Sequence, residues 1–586
     1  TYFDKQLVEG GELEVKGGVV PLPGTYHAKT KRSEVVAASL SEAPRASFDI
    51  RAAGEKKDKE AGGASVVEMT EEEEEEDRAA QLDRMLEEAE PVEVMDLPQL
   101  KRLLTSLDRK VMKNQEMRVR HSDEPTKFME SEVELFEELT KLQALATAPD
   151  LYAEFVRLGG VNKVTELMDH DNLDVALAAV EVLHELTDPA VLEEGDPAGM
   201  QAIVDGFVDN AALELLVRFL AKLDESEEDG KQGVYNILEV FENLSELQPA
   251  ALEAVCDKTD LVEWLFKRLK IKGFDQNKLY SSEILSILCQ SSTKTQAKVG
   301  ENEGMDRLLG LVAPWKKKDP PGEEEAELIQ NIFNVICSAL MVPANQASLV
   351  EGEGIELMVI IMQNRRFAAR CALRVLDYAM LRNSSACDRF VAAMGLKTLF
   401  PAFMKPSSLC ISKSKEAKQG QKEDEEHIVS IVSSLLLRLG GESHARVLNK
   451  FVENGFEKVD RLMELHEKYY KRAQEAANDV EDDEEDGLTP EERRYMARLD
   501  KGLFTLQHID VTIAFLLTEE IEELDGRVRL IMRQNGGDLN EVIETLAEYG
   551  KNMGDADDRK KGQSDVVDMK EVLKDLESYL NYITQG

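Results

Sequence analysis

The chain has 586 residues, enough for several ordinary domains or one elongated array; 42% are apolar, which can fill a sizeable core, but only 6% are aromatic. A formal net charge of −44 creates a field that repels nucleic-acid phosphates and attracts basic partners, which excludes direct nucleic-acid binding through a broad basic face. No apolar run reaches the roughly 18 residues that a membrane span needs, so no membrane role is expected.

Residues 1–80 carry glycines, prolines, short charged clusters and a six-glutamate run, and read as a largely disordered acidic region. KTKR (29–32) and EKKDKE (55–60) faintly resemble nuclear-import signals. Helical periodicity begins near residue 81, and residues 81–150 read as an N-terminal helical cap.

From 151 to 473 one plan recurs: a small or glycine-containing turn, an apolar helix, a polar loop, then a longer apolar helix. LGGVNKVTELM (158–168) precedes NLDVALAAVEVLHEL, DNAALELLVRFLAKL (209–223) precedes GVYNILEVFENLSEL, and EGIELMVIIM precedes RFAARCALRVLDYAM. Taking Gly160, Ala212, Leu261, Gly304, Gly354 and Gly395 as equivalent turn positions, the intervals run from 41 to 52 residues. Armadillo and HEAT units are roughly 40–47 residues long, with extra residues going to loops. None of these pairs can hide its apolar surface alone, whereas stacked neighbours bury it continuously.

WKKKDPPGEEE (315–325) and the locally basic 405–426 read as polar surface loops. Residues 474–488 read as an acidic linker and 489–586 as a C-terminal helical cap. Thr489, Pro490, Glu491 and Glu492 supply a capping hydroxyl, a proline at the first helical position and acids in the first turn. The expected fold is therefore all-α: an armadillo/HEAT-type right-handed helical solenoid of about six repeats, capped by helices at both ends.

No GxxxxGK[ST], strand-linked GxGxxG or HExxH occurs, and the eight histidines are dispersed. His170 with Asp171 and Asp174 reads as a polar turn with capping carboxylates. The six scattered cysteines, several in apolar helical runs, read as buried reduced thiols. Neither catalysis nor a cofactor or metal is expected.

One stretch raises a binding question. In HDNLDVALAAVEVLHELTD (170–188), Val175, Ala178, Ala179, Val182, Leu183 and Leu186 form a buried stripe, yet Glu181 and Glu185 stand four apart on another side. In armadillo arrays the last and longest helix of each repeat lines the ligand groove, and importin-α-type repeats place Trp and Asn four apart there. Laid on that pattern, Glu181 and Glu185 take those two positions. The next repeats place Glu239 with Asn243, then Glu283 with Ile287, and the fifth places Arg374 with Tyr378. Glu181, Glu185, Glu239, Asn243 and Glu283 would then line a groove suited to an extended Lys/Arg-rich segment through charge-assisted hydrogen bonds. The competing reading is that these glutamates only keep a helix surface solvated.

Longer blocks carry a family resemblance. KNQEMRVR (113–120), KFMESE (127–132), ATAPDLY (146–152), NKLYSSEILSIL (277–288), GLKTLFPAFMK (395–405), LNKFVENGFEKVDRLMELHEKYY (448–470) and RLDKGLFTLQHI (498–509) resemble the β-catenin-like proteins of the spliceosome, from about residue 100 onward. That resemblance implies a nuclear, non-catalytic armadillo scaffold or adaptor in pre-mRNA splicing, associated with the NineTeen complex. Its implied partners are splicing factors with nuclear-localisation-type basic segments, including the complex's Myb-like component. The alternative is a nuclear-import cargo adaptor for basic-signal proteins. An exposed solenoid edge would also allow self-association.

Overall fold

A computed structural model of the chain describes residues 95–188, 197–410, 420–478, 489–552 and 569–585. The segment 1–80, the import-like clusters within it, residues 411–419 of the basic loop and most of the acidic linker lie outside the described residues.

Two helices, α1 (Leu97–Arg120) and α2 (Met129–Leu142), pack on each other at the amino end. Asp96 starts α1 with a capping box, its carboxylate accepting from the Gln99 amide while the Gln99 side chain accepts from Asp96 N. Beyond them the described residues form six triplets of helices. The third and generally longest members are α3 (Leu173–Glu185), α4 (Glu228–Leu247), α5 (Gln276–Ser291), α6 (Glu323–Ala339), α7 (Ala368–Met380) and α8 (Gln421–Arg438). Each packs against the next, with α2 against α3 at one end and α8 against α9 (Leu503–Thr518) at the other, so these helices make one continuous ladder.

The turn positions read from the sequence all begin a second helix. Gly160, Ala212, Leu261, Gly304 and Gly354 are first residues, and Gly395 immediately precedes Leu396–Met404. The physical requirement is a tight reversal. Gly159, Ala211, Glu303, Glu353 and Met394, each one residue earlier, have left-handed backbone. A Cβ added at Gly160 would lie 2.1 Å from the ring of Phe155, and one at Gly395 2.3 Å from the ring of Phe390. In both turns a buried aromatic near the end of one helix thus stands five positions before the glycine at the start of the next.

The sequence plan of one helix before each long helix is incomplete. A further short helix opens every triplet: Tyr152–Arg157, Pro197–Asp209, Pro249–Lys258, Thr293–Gly300, Pro343–Glu351 and Ser384–Ala392. Pro249 and Pro343 sit at first helical positions, where their missing N–H costs nothing, while Ser292 and Asn383 cap with their side chains.

The expected stripe of α3 is the core face: Val175, Ala178, Ala179, Val182, Leu183 and Leu186 are all buried. Five of the six cysteines are buried and all six are free thiols. At the carboxyl end Thr489 caps Pro490–Asp500, with its hydroxyl accepting from Glu492 N and the Glu492 carboxylate accepting from Thr489 N. Helix Gly441–Asn478 is kinked by non-helical backbone at Glu453–Phe456 and runs on through residues 474–478, the opening of the segment read as a linker. Helix α9 is buried on nearly every side and packs on α8, on Gly441–Asn478, and on the helices Leu539–Asn552 and Met569–Gln585. It seals the end of the ladder.

Candidate functional site

The ladder presents one face that its own packing leaves open. On α3 that face carries Leu177, Glu181, His184 and Glu185; on α4, Tyr235, Glu239 and Glu242; on α5, Glu283 and Ile287. All of these side chains are half-buried. Four of the five residues expected to line a groove therefore share this face. The exception is Asn243, which is buried within the ladder, with its Nδ2 lacking a hydrogen-bond partner. One residue of helix turns a side chain by about 100°, so Glu242 takes the outward position expected for Asn243.

The geometry around each acid differs. Glu181 Oε2 accepts from Gln143 Nε2 at 2.9 Å. Burial raises its carboxyl above the ordinary value; the Gln143 hydrogen bond opposes this, and the charge of Glu185 adds to it. Glu239 Oε2 lies 2.8 Å from His184 Nε2, linking the first two repeats. Burial alone would lower the His184 imidazole, but the hydrogen bond and charge of Glu239, with Glu185 and Asp188 behind, raise it. Among the described residues none of Glu181, Glu185 and Glu239 forms an ion pair with a lysine or arginine.

Sequence reasoning missed Glu242, Tyr235 and Tyr280. The Tyr280 hydroxyl donates to Glu242 Oε2 at 2.6 Å, and the Tyr235 and Tyr280 rings stand 5.0 Å apart, tilted by 47°. Burial, then the Glu242 and Glu239 charges, push the Tyr280 phenol well up, so it stays a neutral donor. The signal was available: Tyr235 and Glu242 stand four before and three after Glu239, on one helical face.

Near Glu132 the polar turn engages His170 and Asp171, and its cap is Asn172 rather than either expected carboxylate. His170 Nε2 lies 3.0 Å from Asn114 Oδ1, its Nδ1 accepts from Asn172 N, and the Asn172 side chain caps α3. Asp171 pairs with Arg118.

From α6 onward the face changes character. Arg374 donates to Asn334 Oδ1 at 2.5 Å, Arg370 lies 3.0 Å from Asp424, and Asp377 lies 2.9 Å from His427. Burial pushes the Asp424 carboxyl up to about 6 against the pull of Arg370. Deeper in the carboxyl end His466 Nδ1 lies 2.7 Å from Asp510 Oδ1, and Nε2 lies 3.4 Å from Glu541. Arg374 and Tyr378, expected to line the fifth repeat, are half-buried here, among acids that Arg370 and His427 already engage.

Six stacked helix triplets joined through their third helices, without a cluster of metal-ligand residues or a membrane-length apolar helix among the described residues, define an armadillo-repeat helical solenoid. Residues 76–547 match the family described as catenin-beta-like, Arm-motif containing, nuclear. The chain belongs to that family. It is 39% identical over 472 residues to beta-catenin-like protein 1 of Homo sapiens, covering 79% of this chain and 83% of the human one. It is 30% identical over 482 residues to the beta-catenin-like protein 1 homolog of Schizosaccharomyces pombe, covering 80% and 82%. Among solved structures, an engineered protein aligns over 76% of this chain and 96% of its own at 15% identity, with a TM-score of 0.45.

Proposed function

We propose that this chain is a non-catalytic scaffold or adaptor of nuclear pre-mRNA splicing, associated with the NineTeen complex, and that it holds basic nuclear-localisation-type segments of splicing factors against the acid-lined face of α3–α5. The observation that carries the binding half of this reading is the row of Glu181, Glu185 and Glu239 on adjacent ladder helices, none of them matched to a lysine or arginine. Such carboxylates are positioned for charge-assisted hydrogen bonds from lysine or arginine. Tyr235 offers an aromatic wall for the aliphatic part of such a side chain. The splicing half rests on family membership.

Purification of the tagged full chain from its own cells tests both halves together. Recovery of splicing factors with basic segments, the Myb-like component among them, is the expected result. Recovery of import carriers without splicing components would overturn it.

A further inference from the structure

At the amino end of the ladder the acidic face opens into a cleft of about 710 Å³, within the range of roughly 300–1,000 Å³ common for ligand sites. One wall is α2. Its Leu135, Leu139 and Leu142 are fully buried, yet Met129, Val133 and Phe136 are 59%, 52% and 40% exposed. Those three recur at i, i+4 and i+7, a second apolar stripe about 10 Å long with no neighbour covering it among the described residues. The facing wall is α3, through Val175, Leu177 and Ala178. The far end is the amino-terminal part of α4, where a Cβ on Gly233 would lie 2.4 Å from Leu177 Cδ2.

Around this apolar floor stand Glu132, Asp174, Glu181 and Asp229. Glu132 is already engaged by Arg118 and by Asn172 Nδ2 at 2.8 Å. Asp174 and Asp229 are exposed and make no ion pair among the described residues, and Glu181 accepts only a neutral amide. Lys127 and Lys231, the cations beside the lining segments, pair with Glu124 and Glu228. A purely cationic segment would satisfy the rim and leave the floor wet. A purely apolar one would strand three carboxylates.

We infer that the cleft between α2, α3 and the start of α4 seats one or two bulky apolar side chains of a partner segment whose adjoining lysines or arginines run onto Asp174, Asp229, Glu181 and Glu239. This deepens the binding reading above and rests on it. The ladder would thereby select apolar-anchored basic segments over polybasic ones, because charge supplies attraction and the cleft supplies register.

The test uses the full chain and a fluorescent peptide with two leucines ahead of five lysines and arginines, read by anisotropy, with circular dichroism as a folding control. Replacing both leucines by alanine is expected to weaken binding about tenfold or more. Phe136→Ser, at an exposed position, is expected to weaken the leucine peptide alike and leave the alanine peptide nearly unchanged. Equal binding of the two peptides overturns the cleft assignment; if alanine in place of the basic residues still abolishes binding, the acidic-face reading stands without it. Indifference to loss of the basic residues overturns both. A dimer in sedimentation that Phe136→Ser dissolves would also overturn it, by making a second copy the occupant.

Discussion

The two ends of the ladder handle charge in opposite ways. In α3–α5 the carboxylates of Glu181, Glu185 and Glu239 stay half in water, helped by one glutamine and one histidine. In α8, α9 and the helix following α8, charges are sealed inside. Glu425 accepts from Arg461 at 2.8 Å and from the Tyr469 hydroxyl at 3.0 Å, and His466 is held between Asp510 and Glu541. A partly exposed carboxylate keeps part of its hydration and can exchange water for a ligand. A buried one is held by a partner whose removal leaves it stranded. The same residue types therefore serve binding at one end and cohesion at the other.

That contrast breaks first at His466. His466→Ala leaves Asp510, which has no exposed surface, without its partner, and should cost about 3–5 kcal/mol in urea unfolding. Glu239→Gln at the open end should cost less than about 1 kcal/mol in the same measurement. Comparable losses at both sites would erase the distinction.

Next in size is the repeat turn. Gly160→Val drives a Cβ into the buried Phe155 ring, and a loss of about 1–3 kcal/mol is expected. Gly310→Ala, mid-helix with open space around its Cβ, should be neutral or slightly stabilising. An unchanged melting temperature for Gly160→Val would remove the five-residue packing rule.

A pH series sharpens the comparison with a smaller effect. Burial disfavours the His466 cation, but the Asp510 charge and the hydrogen bonds that the ring donates to Asp510 and Glu541 outweigh it and lift the imidazole to about 9. Burial also raises the Asp510 carboxyl, and the facing imidazolium holds that rise back. A folded value above the unfolded one of about 6.5 means that the stabilisation is complete below about 6.5 and is lost as pH rises through about 9. The melting-temperature gap between the parent and His466→Gln should therefore narrow between those limits. A gap independent of pH would show that His466 acts through packing alone.

The repeat was legible because its determinants are local. The apolar stripe of α3, the six turn positions and the Thr489 capping box each reside in a short window of sequence, and each maps onto its expected element. The short first helices were not. Thr293–Gly300 reads TKTQAKVG, with little periodicity, and is helical because Ser292 caps it and Val299 anchors it to its neighbours. The ladder face was legible to within one residue: Glu181, Glu185, Glu239 and Glu283 lie on it, whereas Asn243 turns inward and Glu242 outward. Partners across repeats, such as His184 for Glu239 and Tyr280 for Glu242, lie 55 and 38 residues apart. No window of sequence could pair them, since stacking alone brings them together.

The most direct test of the acidic face is the affinity of a lysine- and arginine-rich peptide for the parent and for the combined Glu181→Gln, Glu185→Gln, Glu239→Gln variant, each measured at low and high salt. The parent should bind tightly at low salt and weaken steeply as salt rises, while the variant should bind far more weakly with a shallower salt dependence and an almost unchanged melting temperature. Equal affinity and equal salt dependence in the two proteins would contradict the account.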